Sequence, residues 1–182
     1  RMIHVQGVLG LNNAKILADG KDSNVKDGFT MGVLGELGQG QFTLESGLLY
    51  MQLGGRVSEQ GAKIALKTNY LVVPVYGKFY LDPSQTGFYG KAGVAYADTR
   101  SAEIRASAGA NSQEIDFDHY VKNEDFMGSL AVGYLVEMNE TLGMGFEFNY
   151  MRGTHRVIEN TSGDGNASTR NEVFSLRASL RM

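Results

Sequence analysis

"LGMGFEFNYM", residues 142–151, decides the fold. Its apolar positions are Leu142, Met144, Phe146, Phe148 and Tyr150; between them stand Gly143, Gly145, Glu147, Asn149 and Met151. The alternation has a period of two, so the stretch is a β-strand with two chemically different faces. One face carries two Phe and a Tyr, the other a Glu at its centre. The architecture follows from which of these faces looks inward.

The same alternation recurs along the chain. Strands are predicted over 3–12, 28–38, 42–53, 68–81, 88–97, 126–138, 142–152 and 172–182. Short turns at 38–41 (GQGQ), 82–87 (DPSQTG) and 139–141 (NET) alternate with long polar segments at 13–27, 54–67, 98–125 and 153–171. Such an alternation puts short and long connections on opposite ends of an up-and-down meander. Residues 102–112 read as a short helical or irregular piece, and no domain boundary interrupts residues 1–182. The expected fold is all-β, an eight-stranded antiparallel up-and-down barrel in a single domain.

Composition agrees with sheet. The chain has 182 residues, with Gly at 24, Pro at 2 and no Cys. Frequent Gly in period-two patterning suits twisted, curved sheets, and the absence of Cys removes disulfides and thiolate metal sites. The net charge of −3 argues against nucleic acid as a partner, since such binders carry a basic surface. Uninterrupted apolar stretches fall far short of the roughly 18 residues a transmembrane helix needs. The first residues, RMIHVQG, lack the apolar core of a signal peptide, which leaves room for one removed earlier.

Sorting each strand into two rows sharpens the picture. One row holds Ile3, Val5, Leu9 and Leu11, then Phe29, Met31, Val33 and Leu37, and continues this way through Phe174, Leu176, Leu180 and Met182 with no charge anywhere. The other row mixes small residues (Gly32, Gly47, Gly93, Ala95, Ala131, Gly133, Gly145) with Glu36, Glu45, Lys78, Lys91, Glu137, Glu147, Arg177 and Arg181. In a soluble barrel the apolar row points inward. Eight strands enclose an interior barely wide enough for their side chains, and bulky residues on every strand would overpack it. A water-exposed face also gains nothing from glycine. The inverse arrangement removes both conflicts: the uncharged row meets lipid, and the mixed row fills a narrow lumen where four acids and four bases neutralise one another. The aromatics divide accordingly. Phe29, Tyr50, Tyr96, Phe126 and Tyr150 lie toward the long connections, and Phe42, Phe79 and Phe88 toward the short turns, as two interfacial belts would.

In this pattern the chain resembles the small eight-stranded outer-membrane barrels typified by the OmpA transmembrane domain, OmpX and the wider porin-family barrel domain. The resemblance is nearest in NYLVVPVYGKFYL (69–81), FYGKAGVAYA (88–97) and FSLRASLRM (174–182). It implies a monomer in a Gram-negative outer membrane, with membrane lipids and lipopolysaccharide as neighbours. Both termini and the short turns would face the periplasm, and four long loops the exterior. It also implies contact of the C-terminal strand with the barrel-insertion machinery, although the family usually ends in an aromatic residue and this chain in Met182. The implied role is structural, anchoring or surface-interactive, with no cofactor and no metal. The alternatives are a lipid-modifying enzyme of the same fold, a narrow pore, and a soluble lipocalin-like barrel.

Candidate chemistry is sparse. His4 sits on the lumen row, where a hydrogen-bonding role suffices. His119 or His155 could act as a base toward Ser101 or Ser107, but nothing in their spacing requires it. Glu114, Asp116, Asp118, Glu124 and Asp125 offer oxygen ligands for Ca²⁺, but a hydrated loop is the preferred reading. DGKDSNVKDG (19–28) lacks the closing Glu of a Ca²⁺ loop. The lumen charges are the best-founded site, read as a salt-bridged plug.

Overall fold

The computed structural model describes residues 2–18, 21–22, 24–59, 62–108, 111–116, 124–153 and 170–182, and side chains within 3–14, 27–53, 68–101, 124–153 and 172–182. Among these residues there are ten strands and no helix. Eight form the wall: β1 (Met2–Ala18), β3 (Asn24–Gln39), β4 (Phe42–Glu59), β5 (Ala62–Tyr80), β6 (Gly87–Ala108), β8 (Glu124–Asn139), β9 (Leu142–Gly153) and β10 (Arg170–Arg181). Each pairs antiparallel with the next. The ring closes between β1 and β10, from Gln6↔Arg181 to Leu17↔Arg170. Two short strands, β2 (Lys21–Asp22) and β7 (Asn111–Asp116), extend β1 and β6 at the long-connection end.

Closure removes every edge of the wall, and the turns at one end are tight. Gly40, between β3 and β4, has φ +67°, the left-handed conformation that the first position of a two-residue hairpin turn demands. Asn139 Oδ1 accepts the Thr141 amide at 3.0 Å between β8 and β9, a side-chain mimic of a backbone turn. In the β5–β6 turn the Ser84 amide donates to Asp82 and holds its carboxyl below the usual carboxylate range. Pro74, inside β5, has no N–H to give. Pairing with β4 skips from Ser46↔Val75 to Leu49↔Val72, and the Ser46 hydroxyl donates to the Pro74 carbonyl at 2.7 Å.

Glu147 is 7% exposed, whereas Phe146 and Phe148 are 50% and 51% exposed. The same holds around the ring: Ile3, Leu11, Leu81, Leu130, Val132 and Leu176 are all more than three-fifths exposed. A monomer in water rarely presents contiguous apolar patches beyond a few hundred Å², and a belt encircling the whole barrel has hydrocarbon as its natural solvent.

Three expectations are corrected. The strands run well beyond their expected ends, so that 13–18, 24–27, 54–59, 62–67 and 98–108 belong to strands and the long connections are shorter. Residues 102–108 and 111–112 are strand, not helix. The lumen row is bulkier than small residues and charges alone. Tyr70, Tyr76, Tyr80 and Tyr89 are buried there, and so are Leu34, Leu49, Leu53, Met51, Met127, Met151 and Val72. The glycines make this possible. A Cβ on Gly133 would overlap the Tyr89 ring, and one on Gly93 would overlap the Val75 carbonyl and crowd Tyr76.

Candidate functional site: a charged network in the lumen

Tyr76, Lys78 and Tyr80 descend one face of β5, and Tyr89 and Lys91 rise along the facing row of β6. Glu36 comes from β3, Glu45 from β4, Glu147 from β9 and Arg177 from β10. Period two places all of them on the inner face. Lys78 Nζ lies 2.9 Å from Glu36 and 3.4 Å from Glu45. Lys91 Nζ lies 2.6 Å from Glu45 and 2.7 Å from Glu147. Arg177 Nη1 is 3.5 Å from the other Glu147 oxygen. Glu36, Lys78, Glu45, Lys91, Glu147 and Arg177 therefore form one continuous chain of alternating charge, three acids and three bases, each at most 7% exposed.

Neutral donors complete it. Gln6 Nε2 donates to Glu36 at 2.7 Å and to Glu45 at 3.2 Å. The Thr43 and Tyr80 hydroxyls donate to Glu36 at 2.8 Å each, and Tyr89 donates to Glu147 at 3.2 Å. Lys78 Nζ sits 4.2 Å from the Tyr89 ring centroid and 4.8 Å from that of Tyr80, and Lys91 lies 4.6 Å from that of Tyr76, distances at which a ring face attracts a cation. Burying charge is tolerable only with pairing and hydrogen bonds of this kind. Arg177 is the least satisfied member. Its Nη2 reaches Met151 Sδ at 3.5 Å, and its Nε has no hydrogen-bond partner among the described residues.

The remaining two charges stand apart. Arg181 Nη1 donates to the Gln85 carbonyl at 2.9 Å, and its Nη2 lies 3.6 Å from Glu137. A bulge between Glu137 and Asn139 ends the β8–β9 ladder, and the Glu137 side chain is 55% exposed, so it sits at the rim and not within the lumen network. Gln6, Thr43, Tyr76, Tyr80 and Tyr89 were absent from the sequence reading, though they share the row of the charges. Toward the long connections the lumen turns mostly apolar, with Leu49, Met51, Leu53, Tyr70, Val72, Met127, Met151 and Val173 in one buried cluster. Asn12 is set beside it, accepting from Thr30 and Ser175 at 2.8 Å each.

On the outer face the aromatics meet in pairs. Ring centroids are 5.7 Å apart for Phe29 and Tyr50, 5.4 Å for Tyr96 and Phe126, and 5.0 Å for Tyr150 and Phe174. At the short-turn end Phe42 stands opposite Phe79, and Phe88 packs edge-on against Tyr134 at 4.7 Å. The Tyr150 hydroxyl donates to Glu172 at 2.9 Å, beside Arg152. His119 and His155 lie outside the described residues, as does Asp118. Ser107, Glu114 and Asp116 fall in strands without described side chains, Ser101 accepts from Asn69 at 2.8 Å, Glu124 is exposed and Asp125 buried.

An apolar belt outside, a charge-paired interior and a closed antiparallel wall define the class: a small eight-stranded transmembrane β-barrel. No family model and no curated protein sequence matches the chain. Solved structures do share its fold. Ail, the attachment invasion locus protein of Yersinia pestis, solved with the heparin analogue sucrose octasulfate, matches with a TM-score of 0.54 at 11% identity over 100% of both chains. Neisserial surface protein A matches with a TM-score of 0.53 at 11% identity over 98% of this chain and 96% of its own.

Proposed function

We propose that the chain is a non-enzymatic barrel of a Gram-negative outer membrane, serving anchoring, envelope integrity or surface contact. Its lumen is sealed. The short turns and both termini face the periplasm, the long connections face outward, and lipid and lipopolysaccharide surround the belt between the two aromatic groups. The observation that carries this reading is the unbroken Glu36–Lys78–Glu45–Lys91–Glu147–Arg177 chain across the lumen. It leaves charges that are already paired with opposite charges where a pore would need hydrated ones. The apolar cluster beyond it adds a second, dry layer.

Planar-bilayer recording tests the seal: reconstituted protein should give no discrete conductance steps, and regular steps would replace this reading with that of a pore. Electrophoresis of unboiled against boiled sample tests the membrane assignment. A heat-dependent shift is expected, and a protein that stays soluble without detergent and shows none would overturn it.

A further inference from the structure

In the wall order β10-β9-β8-β6-β5-β4-β3-β1, closed by β1–β10, the β5–β6 pair stands across the ring from β1 and β10. Yet the turn joining β5 to β6 reaches across to them. Arg181 on β10 donates to the Gln85 carbonyl at 2.9 Å, and His4 on β1 lines the same small cavity as Gln85. The Gln85 amide group also donates to the Gly40 carbonyl in the β3–β4 turn at 3.0 Å. Asp82, Pro83 and Ser84 are exposed, but Gln85 beside them is only 4% exposed. It is also the one non-glycine residue with positive φ among those described, at 62°. Glycine rests there without penalty, and glutamine does not. A strained residue persists where its surroundings over-determine it, and here two partners do so, Arg181 on β10 and Gly40 in the β3–β4 turn.

We propose that the β5–β6 turn is a stopper folded across the short-turn mouth of the barrel, latched in place by Gln85. It shuts the charged half of the lumen off from the adjoining water independently of the salt bridges above it. Strain at Gln85 and the exposure of Asp82–Ser84 favour release, while the bonds to Arg181 and Gly40 favour closure, so the element has two states. A cavity of about 250 Å³ borders it, between Ser84 and Gln85 on one side and the β8–β9 turn on the other, which gives the turn room to swing.

The chain has no cysteine, so a lone thiol reports access. Thr43, 1% exposed on the lumen row just inside the mouth, is replaced in Thr43→Cys. Arg100→Cys, exposed at the long-connection end and far from the turn, is the reference. A cationic thiosulfonate is added to each folded protein in detergent. The lumen thiol should react far more slowly than the reference. Gln85→Met, which keeps the side-chain length and the strained backbone but removes the amide donor to Gly40, should speed the lumen thiol about five- to tenfold, the shift in a local opening equilibrium expected for a lost hydrogen bond. The reference rate should not move. Gln85→Asn, which cannot reach Gly40 but relieves part of the strain at positive φ, should fall between, and it carries the test if Gln85→Met does not fold. A Thr43→Cys rate equal to the reference with Gln85 present, or one unmoved by both substitutions, overturns the stopper. Every variant is first checked for the heat-dependent gel shift. Loss of that shift in the unsubstituted protein overturns the membrane barrel, and an intact shift with unmoved rates overturns the stopper alone.

Discussion

Lys91→Met is the most informative single perturbation of the lumen. Lys91 Nζ touches two carboxylates, Glu45 at 2.6 Å and Glu147 at 2.7 Å. Methionine keeps most of the side-chain volume and removes the ammonium's charge together with its hydrogen-bond donors. Breaking a buried ion pair from one side costs about 3–5 kcal/mol, because the partner is left charged and dry. Both carboxylates here keep weaker company. Glu45 retains Lys78 at 3.4 Å and Gln6 at 3.2 Å, and Glu147 retains Arg177 at 3.5 Å and Tyr89 at 3.2 Å. The cost should therefore fall at the lower end, about 3 kcal/mol, near a hundredfold in the folding equilibrium. Adding Glu147→Gln removes one stranded charge, so the double variant should recover about 1–2 kcal/mol relative to additivity. Glu137→Gln, at a half-exposed rim position 3.6 Å from Arg181, should cost less than about 1 kcal/mol. Urea unfolding in lipid vesicles, followed by the gel shift, measures all four. If Lys91→Met is no worse than Glu137→Gln, the lumen charges are hydrated and not paired, and the sealed interior is wrong.

Two further substitutions probe packing and orientation. Gly93→Ala drives a methyl into the Val75 carbonyl and should destabilise by about 1–3 kcal/mol, as overpacking does, while Gly7→Ala meets open space and should be nearly silent in the same assay. Val132→Arg places a cation on the outward face of β8, where Val132 is 64% exposed. It should cost about 2–4 kcal/mol in a bilayer, and a vesicle folding free energy equal to that of the unsubstituted protein would mean that Val132 does not face hydrocarbon.

The orientation of the strands was legible because lipid imposes a hard rule: the outward row carries no charge, and on every wall strand but β1 a charged residue marks the inward row. What parity cannot do is say where along the strand the membrane ends. Past the hydrocarbon nothing forces alternation, so 54–59, 62–67 and 98–108 look like loop and are strand. Nor does residue type alone place an amphipathic side chain. Tyr50 and Tyr96 stand on the outward row while Tyr76, Tyr80 and Tyr89 are buried. The signal was present, since Tyr76 and Tyr80 flank Lys78 at the spacing of two that puts all three on one face. The room for them was also written in the sequence, as glycines at 93 and 133 on the same row.

Glu147 and Arg177 are in-register neighbours, but most partners of the charges were beyond any strand-by-strand reading, because other neighbours in the wall carry like charge. Glu36 stands opposite Glu45, and Lys78 opposite Lys91. Like charges in register repel, and on an open sheet each such pair would destabilise it. Closure changes the geometry. Lys78 on β5 reaches past β4 to Glu36 on β3, Lys91 on β6 reaches past β5 to Glu45 on β4, and Lys91 also reaches past β8 to Glu147 on β9. Each of these bonds skips one strand, a path that exists only when the wall curves round a narrow axis. The in-register repulsions are then offset by attractions through the lumen, so the same charges that would penalise an unrolled sheet favour the rolled one. The network thus selects closure with this strand order and register, in addition to filling the interior.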